Sequence, residues 1–307
     1  MTSASGVAGG TSSNNRCFVG VPLGNLRDEG VTPNNLRATD ATFRNQATAG
    51  PQSGNQRARE TTLVASALFG FDAATLVDAH VHMDFMSNMR EVADDAASRG
   101  LCFFANTVTP QGYERTCAQL GDLPNVRVGL GLHPRWVAEG LCDETDVALF
   151  EQLVSSTRWI GEVGLDFSAR YVADGARELQ VAAFRRVARA AAQAGDRVLS
   201  IHAVRSVGTV LDALEESGSL ARCSCILHWF SGSTDDLWRA IRAGCWFSVN
   251  ERQVRTRRAK EQLKLIPHNR LMLETDLPPA EGVVFSANEI EASLWRTLSH
   301  GTLRSQN

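Results

Sequence analysis

From Leu76 onward, short apolar runs alternate with stretches whose apolar residues recur at helical spacing and which often end at glycine. The strand candidates are LVDAHVH, CFFANTV, VRVGLGLH, RWIGEVGLD, RVLSIHA, CSCILHWF, CWFSVN and RLMLETD. Between them lie helical stretches such as MREVADDAASRG, ALFEQLVSS, ARELQVAAFRRVARAAAQAG, VGTVLDALEESG, DDLWRAIRAG and RRAKEQLKLI, and ANEIEASLWRTL follows the eighth run. Repeated β/α units of this kind predict an α/β fold, a TIM (β/α)8 barrel, over a domain of residues 71–307. A doubly wound open sheet is the structural rival.

Residues 1–70 read differently. They are rich in Gly, Ser, Thr, Asn and Gln and show little periodicity. Such a segment buries too little apolar surface to offset its ordering entropy, so a disordered tail is expected. The next methionine after Met1 is Met83, inside the first motif. An internal Met start therefore cannot make an intact first strand, whereas a non-Met start near Leu76 or Val77 would leave the tail untranslated.

Composition narrows the class. With 43% hydrophobic residues the chain can fill a large core, and a net charge of −3 gives no global attraction to polyanions. Nucleic-acid binding would have to rest on a local basic patch. The 7 cysteines follow neither a secretory signal nor a paired zinc-ribbon spacing, which fits a reduced cytoplasmic setting. Cys223 and Cys225 fall on the strand face opposite His228 and read as core packing. No apolar run approaches the roughly 18 residues of a membrane helix.

The chemistry lies in polar residues placed at or near the ends of apolar strands. Alternate strand residues share a face, so His80 and His82 point one way and Val77, Ala79 and Val81 the other. Further along, His133, Glu162, Asp166, His202, His228, Glu274 and Asp276 occupy the C-terminal ends of their strands, where barrels of this kind carry active sites. His268 and His300 fall outside the pattern and read as surface residues. Each buried histidine alone would more often be structural, but so many at one end share a purpose. That purpose is hydrolysis with two divalent ions about 3.5–4 Å apart. His80, His82 and Asp276 can hold one ion and His202 and His228 the other, with Glu162 bridging. Mixed imidazole and carboxylate donors suit Zn, Mn, Fe or Co, with Mg held through the carboxylates.

The blocks DAHVHMD, GLHP, GEVGLD, SIHAVRS, LHWFSGS, CWFSVN and LETDLP resemble, in that order, the signature blocks of the TatD family of metal-dependent nucleases. LHWFSGS and GCWFSV look closest to the QatD branch, from a bacterial anti-phage system. The resemblance implies an amidohydrolase-like barrel with metal ligands at His80, His82, Glu162, His202, His228 and Asp276. It also makes Asp276 the acceptor of a proton from the attacking water and gives His133 and Arg205 substrate contacts. The tail, the short C-terminus and the placement of Arg205 three residues after His202 depart from the family pattern.

The function expected is therefore a metal-dependent deoxyribonuclease, exonucleolytic or acting on single strands, with DNA as substrate and other proteins of a Qat-type operon as partners. The stretch ERQVRTRRAK offers Arg252, Arg255, Arg257, Arg258 and Lys260 to a phosphate backbone, against the alternative of a solvated helix face. Trp229 reads as core by alternation, with base stacking as the other option. The rival activity is an amidohydrolase or esterase acting on a small molecule or an aminoacyl ester, because the same metals polarise a carbonyl. A scaffold with vestigial catalysis is a third reading, which the intact ligand set disfavours.

Overall fold

The computed structural model describes residues 52–71, 74, 76–169 and 175–300. Eight parallel strands follow one another in sequence order around a barrel: β1 (Leu76–Val81), β2 (Leu101–Asn106), β3 (Val126–Leu132), β4 (Trp159–Asp166), β5 (Val198–Val204), β6 (Ser224–His228), β7 (Trp246–Val249) and β8 (Leu271–Leu273). Every strand expected from the apolar runs is present. The helices are α1 (Gln52–Phe69), α2 (Met89–Ser98), α3 (Pro110–Leu120), α4 (Pro134–Ala138), α5 (Glu144–Leu153), α6 (Ala176–Ala194), α7 (Val207–Ser217), α8 (Ser219–Arg222), α9 (Thr234–Arg242), α10 (Glu251–Val254), α11 (Arg257–Leu263) and α12 (Ala287–His300).

The chain just past β8 closes the ring against β1. Asp276 N donates to His80 O at 2.9 Å and His82 N to Leu277 O at 2.8 Å. Beneath them the buried carboxylate of Asp78 accepts from Thr275 N at 3.0 Å and His80 N at 3.1 Å. Burial pushes the Asp78 pKa up to about 8 against the pull of its Thr275 and His80 hydrogen bonds.

Two register shifts decide what faces the barrel interior. In β1 the pairing with β2 slips between Asp78 and Val81, and in β4 the pairing with β5 slips between Ile160 and Glu162. Simple alternation would put Val77 and Ala79 on the side away from His80 and His82. Instead Val77 and Ala79 pack with Phe104, Val198, Ile226 and Met272, the interior partners whose strands go on to present Ser200, His228 and Glu274. A bulge adds one residue and turns the following side chains to the other face. The irregularities thus stack His80, His82 and Glu162 above an apolar lower layer on the same side of the wall.

Close backbone approach supports that geometry. A Cβ on Gly164, at φ +139°, would lie 2.0 Å from His202 O, so only glycine fits between the ends of β4 and β5. Cys225 is buried and Cys223 partly buried in the outer core, as packing residues would be. His268 is exposed. Among the described residues no helix is long and apolar enough to cross a membrane.

The expectation for the first 70 residues divides. Residues 1–51 lie outside those the structure describes, but residues 52–69 form α1, and the proposed boundary at residue 70 severs that helix from the barrel it covers. Ala65, Leu68, Phe69 and Phe71 join the apolar lower layer of the barrel. The Phe69 ring lies 4.9 Å from that of Phe104 and 6.0 Å from Trp159. Arg127 fastens the end of the helix, donating to Phe69 O at 3.0 Å and Gly70 O at 2.8 Å while its guanidinium sits 4.4 Å from the Phe71 ring centre. Composition missed this helix because a few apolar residues at i, i+3 and i+4 suffice when they close an open barrel end. Phe69→Ala should lower unfolding free energy by about 3–5 kcal/mol, as for other fully buried aromatic truncations. Urea unfolding followed by tryptophan fluorescence checks this, and a loss under 1 kcal/mol would remove α1 from the folded unit.

Candidate metal centre

The C-terminal mouth of the barrel brings together His80, His82, His133, Glu162, His202, His228 and Asp276. Glu162 is buried, and its two oxygens face different partners. Oε2 lies 3.2 Å from His82 Nε2 and 3.7 Å from His80 Nε2. Oε1 lies 2.8 Å from His202 Nδ1, 2.9 Å from His228 Nε2 and 3.3 Å from His133 Nε2. Asp276 Oδ1 adds an oxygen 3.3 Å from His82 Nε2 and 3.7 Å from His80 Nε2. Two sets of donor atoms thus meet at one carboxylate.

The outer nitrogens fix how the rings present themselves. His82 Nδ1 donates to the carbonyl of Asn106 at 3.0 Å, which leaves the Nε2 lone pair of the neutral ring facing inward. His80 Nδ1 pairs with Ser200 Oγ at 2.6 Å, so its Nε2 also points to the centre. His228 stacks on His80 with ring centres 4.0 Å apart, and its Nδ1 faces Glu274 Oε2 at 3.9 Å. Glu274 is wholly buried and accepts from Ser248 Oγ, Asn250 Nδ2 and Trp229 N, which anchors the floor beneath His228. Burial raises the Glu274 pKa to about 7, while His228 pulls the other way.

His133 differs from the other histidines. It caps α4, and its Nδ1 accepts from Arg135 N at 3.0 Å. Burial lowers its pKa, so the ring is neutral and its proton is on Nε2, which donates toward Glu162. That tautomer makes His133 a hydrogen-bond donor at the mouth. Asp166 Oδ2 lies 3.3 Å from His202 Nε2 and its Oδ1 accepts from Ser168 N, which orients His202 with Nδ1 toward Glu162.

The donor set fits divalent metal. With neutral rings, His80 Nε2 and His82 Nε2 present lone pairs 3.3 Å apart, beside carboxylate oxygens that can only accept. Only cations or protons satisfy such a cluster. The carboxylates act on the rings as well: burial would lower the pKa of His82, but Asp276 and Glu162 hold it well above the usual histidine value. Burial likewise opposes a raised His202, which Asp166 and Glu162 bring to about 10. His80 falls to about 3 through burial and the neighbouring His228, so it stays neutral. Glu162 remains ionised because His133 and His228 outweigh its burial. The triplets His80–His82–Glu162, His133–Glu162–His202 and His80–His228–Glu274 each converge closely enough to hold an ion.

The mouth opens into a cleft of about 460 Å³ whose walls include Phe85, Trp136, Trp229, Arg135 and Arg252. Trp229 is half-buried in this wall rather than in the core. Its φ of +40° breaks the strand alternation on which the core reading rested. Arg205 has φ +54°, is exposed, and does not line the cleft. Of the five cations after β7, Arg252 alone lines it; Arg255 pairs with Glu251 and Arg258 donates to Gly232 O. Sequence reasoning missed the roles of Asp78, Ser200 and the Asn106 carbonyl, although Asp78 stands inside the DAHVH block. It also passed over Arg135 and Trp136, directly after GLHP.

Comparison with known proteins identifies the family. The family pattern described as TatD related DNase matches residues 77–294. Human deoxyribonuclease TATDN3 is 28% identical over 222 residues, covering 66% of this chain and 78% of that protein. The 3'-5' ssDNA/RNA exonuclease TatD of Enterobacter lignolyticus is 32% identical over 155 residues, covering 48% and 56%. The crystal structure of YJJV, a TatD homologue from Escherichia coli, superposes with a TM-score of 0.60 at 20% identity, over 73% of this chain and 90% of that one, and so shares the fold. With the match running from the first strand into the last helix, the chain belongs to the TatD-related DNase family and is a metal-dependent hydrolase.

Proposed function

We propose that the chain hydrolyses phosphodiester bonds of DNA, at single-stranded segments or ends, with two divalent ions. The observation that carries this reading is the division of Glu162: one oxygen toward His80, His82 and Asp276, the other toward His202 and His228. His80, His82 and Asp276 would hold one ion, His202 and His228 the other, with Glu162 shared. Bound there, divalent cations supply Lewis acidity, offsetting charge on phosphoryl oxygens and easing loss of a proton from water.

The chain's own residues do the rest. Asp276 stands at the cleft edge with 21% of its side chain exposed, and accepts the proton of the attacking water through a carboxylate kept ionised by His82 against burial. His133 donates its Nε2–H to a phosphoryl oxygen. Arg135 and Arg252 on the walls counter the charge of the strand, while Trp136, Trp229 and Phe85 offer ring faces to bases. That lining favours a nucleic-acid strand over a small neutral ester. The likeness to the 3'-5' exonuclease supports action at ends. The LHWFSGS and GCWFSV blocks support a cytoplasmic role in anti-phage defence beside Qat-type partners, tested by phage challenge of cells carrying the operon with and without this gene.

Labelled single-stranded DNA and a panel of carboxyl esters and amides, each with Mn, Mg or Zn, test the substrate class; turnover confined to the esters would overturn the nuclease reading. Excess chelator should abolish turnover and added divalent ions restore it. Full activity in chelator with no bound metal would exclude metal-dependent catalysis.

Two substitutions separate ligand from base. Asp276→Asn keeps one oxygen donor but loses proton acceptance, so turnover should fall roughly 10²–10⁴-fold with bound metal largely kept. Glu162→Gln removes charge from the shared bridge, so metal content should fall along with turnover. Metal per protein and DNA turnover, measured together under saturating Mn, distinguish the two. Near wild-type turnover in Asp276→Asn would reassign the base.

A further inference from the structure

Behind the cleft wall lies a second chamber, of about 250 Å³, between the turn after β1 and helix α3. Phe85, Val108 and Trp136 line both spaces, so the two are neighbours across one aromatic wall. The chamber also holds Asp84, Thr109, Arg115 and Gln119. Asp84 Oδ1 has almost no accessible surface, so Oδ2, set beside Gly112, is the carboxylate oxygen that the chamber presents. Asp84 Oδ2 and Arg115 Nη2 lie 3.7 and 3.8 Å from where a Cβ of Gly112 would stand, so the missing side chain leaves room between them.

We propose that this chamber is a nucleobase subsite, taking the base next to the one at the scissile phosphate. The inference rests on the nuclease reading above and names how the strand is held. The Asp84 carboxylate, largely withdrawn from water, offers Oδ2 to an N–H donor that enters the chamber beside Gly112. Nucleobases supply N–H donors, and guanine presents two adjacent ones, at N1 and N2, that can both point at one carboxylate oxygen; thymine offers a single N–H between two carbonyls. The chamber falls below the ~300–1,000 Å³ of pockets for drug-sized ligands, which suits one ring system. A phosphate fits less well, since Asp84 and Glu281 set two carboxylates against the one guanidinium of Arg115. Phe85 and Trp136, with ring centres 6.3 Å apart, supply the apolar wall against which a base stacks as the strand turns from the cleft. The subsite gives the enzyme a base preference one nucleotide from the cut.

The test compares two phosphodiesters in the Mn-loaded protein. The p-nitrophenyl ester of thymidine 5'-monophosphate carries a single nucleotide and cannot reach the chamber. An oligodeoxynucleotide can, in versions with guanine, thymine or an abasic residue next to the terminal nucleotide. Asp84→Ala removes the acceptor, and Gln119→Trp, at an exposed position on α3, obstructs the chamber without disturbing the core. Wild type should cleave the guanine version with a KM several-fold below that of the abasic version. Both variants should erase that difference while keeping kcat/KM on the nitrophenyl ester within twofold. Unchanged base preference in Gln119→Trp, or equal loss on both substrates in both variants, would overturn the subsite while leaving the nuclease standing. Wild-type protein inert on both phosphodiesters would instead overturn the nuclease reading, and the subsite with it.

Discussion

Everything at the barrel mouth depends on one desolvated carboxylate with more partners than it can satisfy alone. Glu162 is 3% exposed and has four histidine nitrogens within 3.3 Å. A charge taken so far out of water persists only when opposite charge is close. Around Glu162 that partnership comes from the histidines packed against it, His133 and His228 first among them, and the same cluster of donors fits divalent metal. The remaining arrangement serves to hold these donors in place: Ser200 behind His80, the Asn106 carbonyl behind His82, Glu274 behind His228 and Asp166 behind His202.

The barrel tolerates so much polarity at one end because the other end is sealed and apolar. Phe69, Phe104, Trp159 and Met272 fill the lower layer, and α1 closes it from below. Bulges in β1 and β4 then re-aim the wall, so that His80, His82 and Glu162 rise above this layer instead of facing the helices. Strain concentrates at the same rim: Arg205, Trp229 and Asp276, at the ends of β5, β6 and β8, have positive φ. Residues held in that region away from glycine are costly and persist where the surrounding structure fixes them.

The strands and the cluster of polar residues at the barrel mouth were legible because apolar runs and strand-end polar residues are local signals. His80, His82, Glu162, His202, His228 and Asp276 meet in space as their strand positions imply. Three features were not legible. Helix α1 hides in a polar segment, since Ala65, Leu68 and Phe69 make too narrow a stripe to register against the composition around them. The bulges cannot be seen in an alternation pattern, which is why Val77 and Ala79 were expected on the wrong face. Trp229 and Arg205 escaped for a related reason: alternation stops where φ turns positive, so Trp229 enters the cleft wall and Arg205 leaves it. Register, caps and left-handed residues depend on partners distant in sequence, and a single chain read locally does not contain them.

The central claim is that one carboxylate, Glu162, is shared by two metal ions. Anomalous scattering from crystals soaked in Mn tests it most directly. The account predicts two peaks, one beside Glu162 Oε2 with His80, His82 and Asp276, the other beside Oε1 with His202 and His228. A single peak at full occupancy, or peaks that Glu162 does not touch, would contradict it.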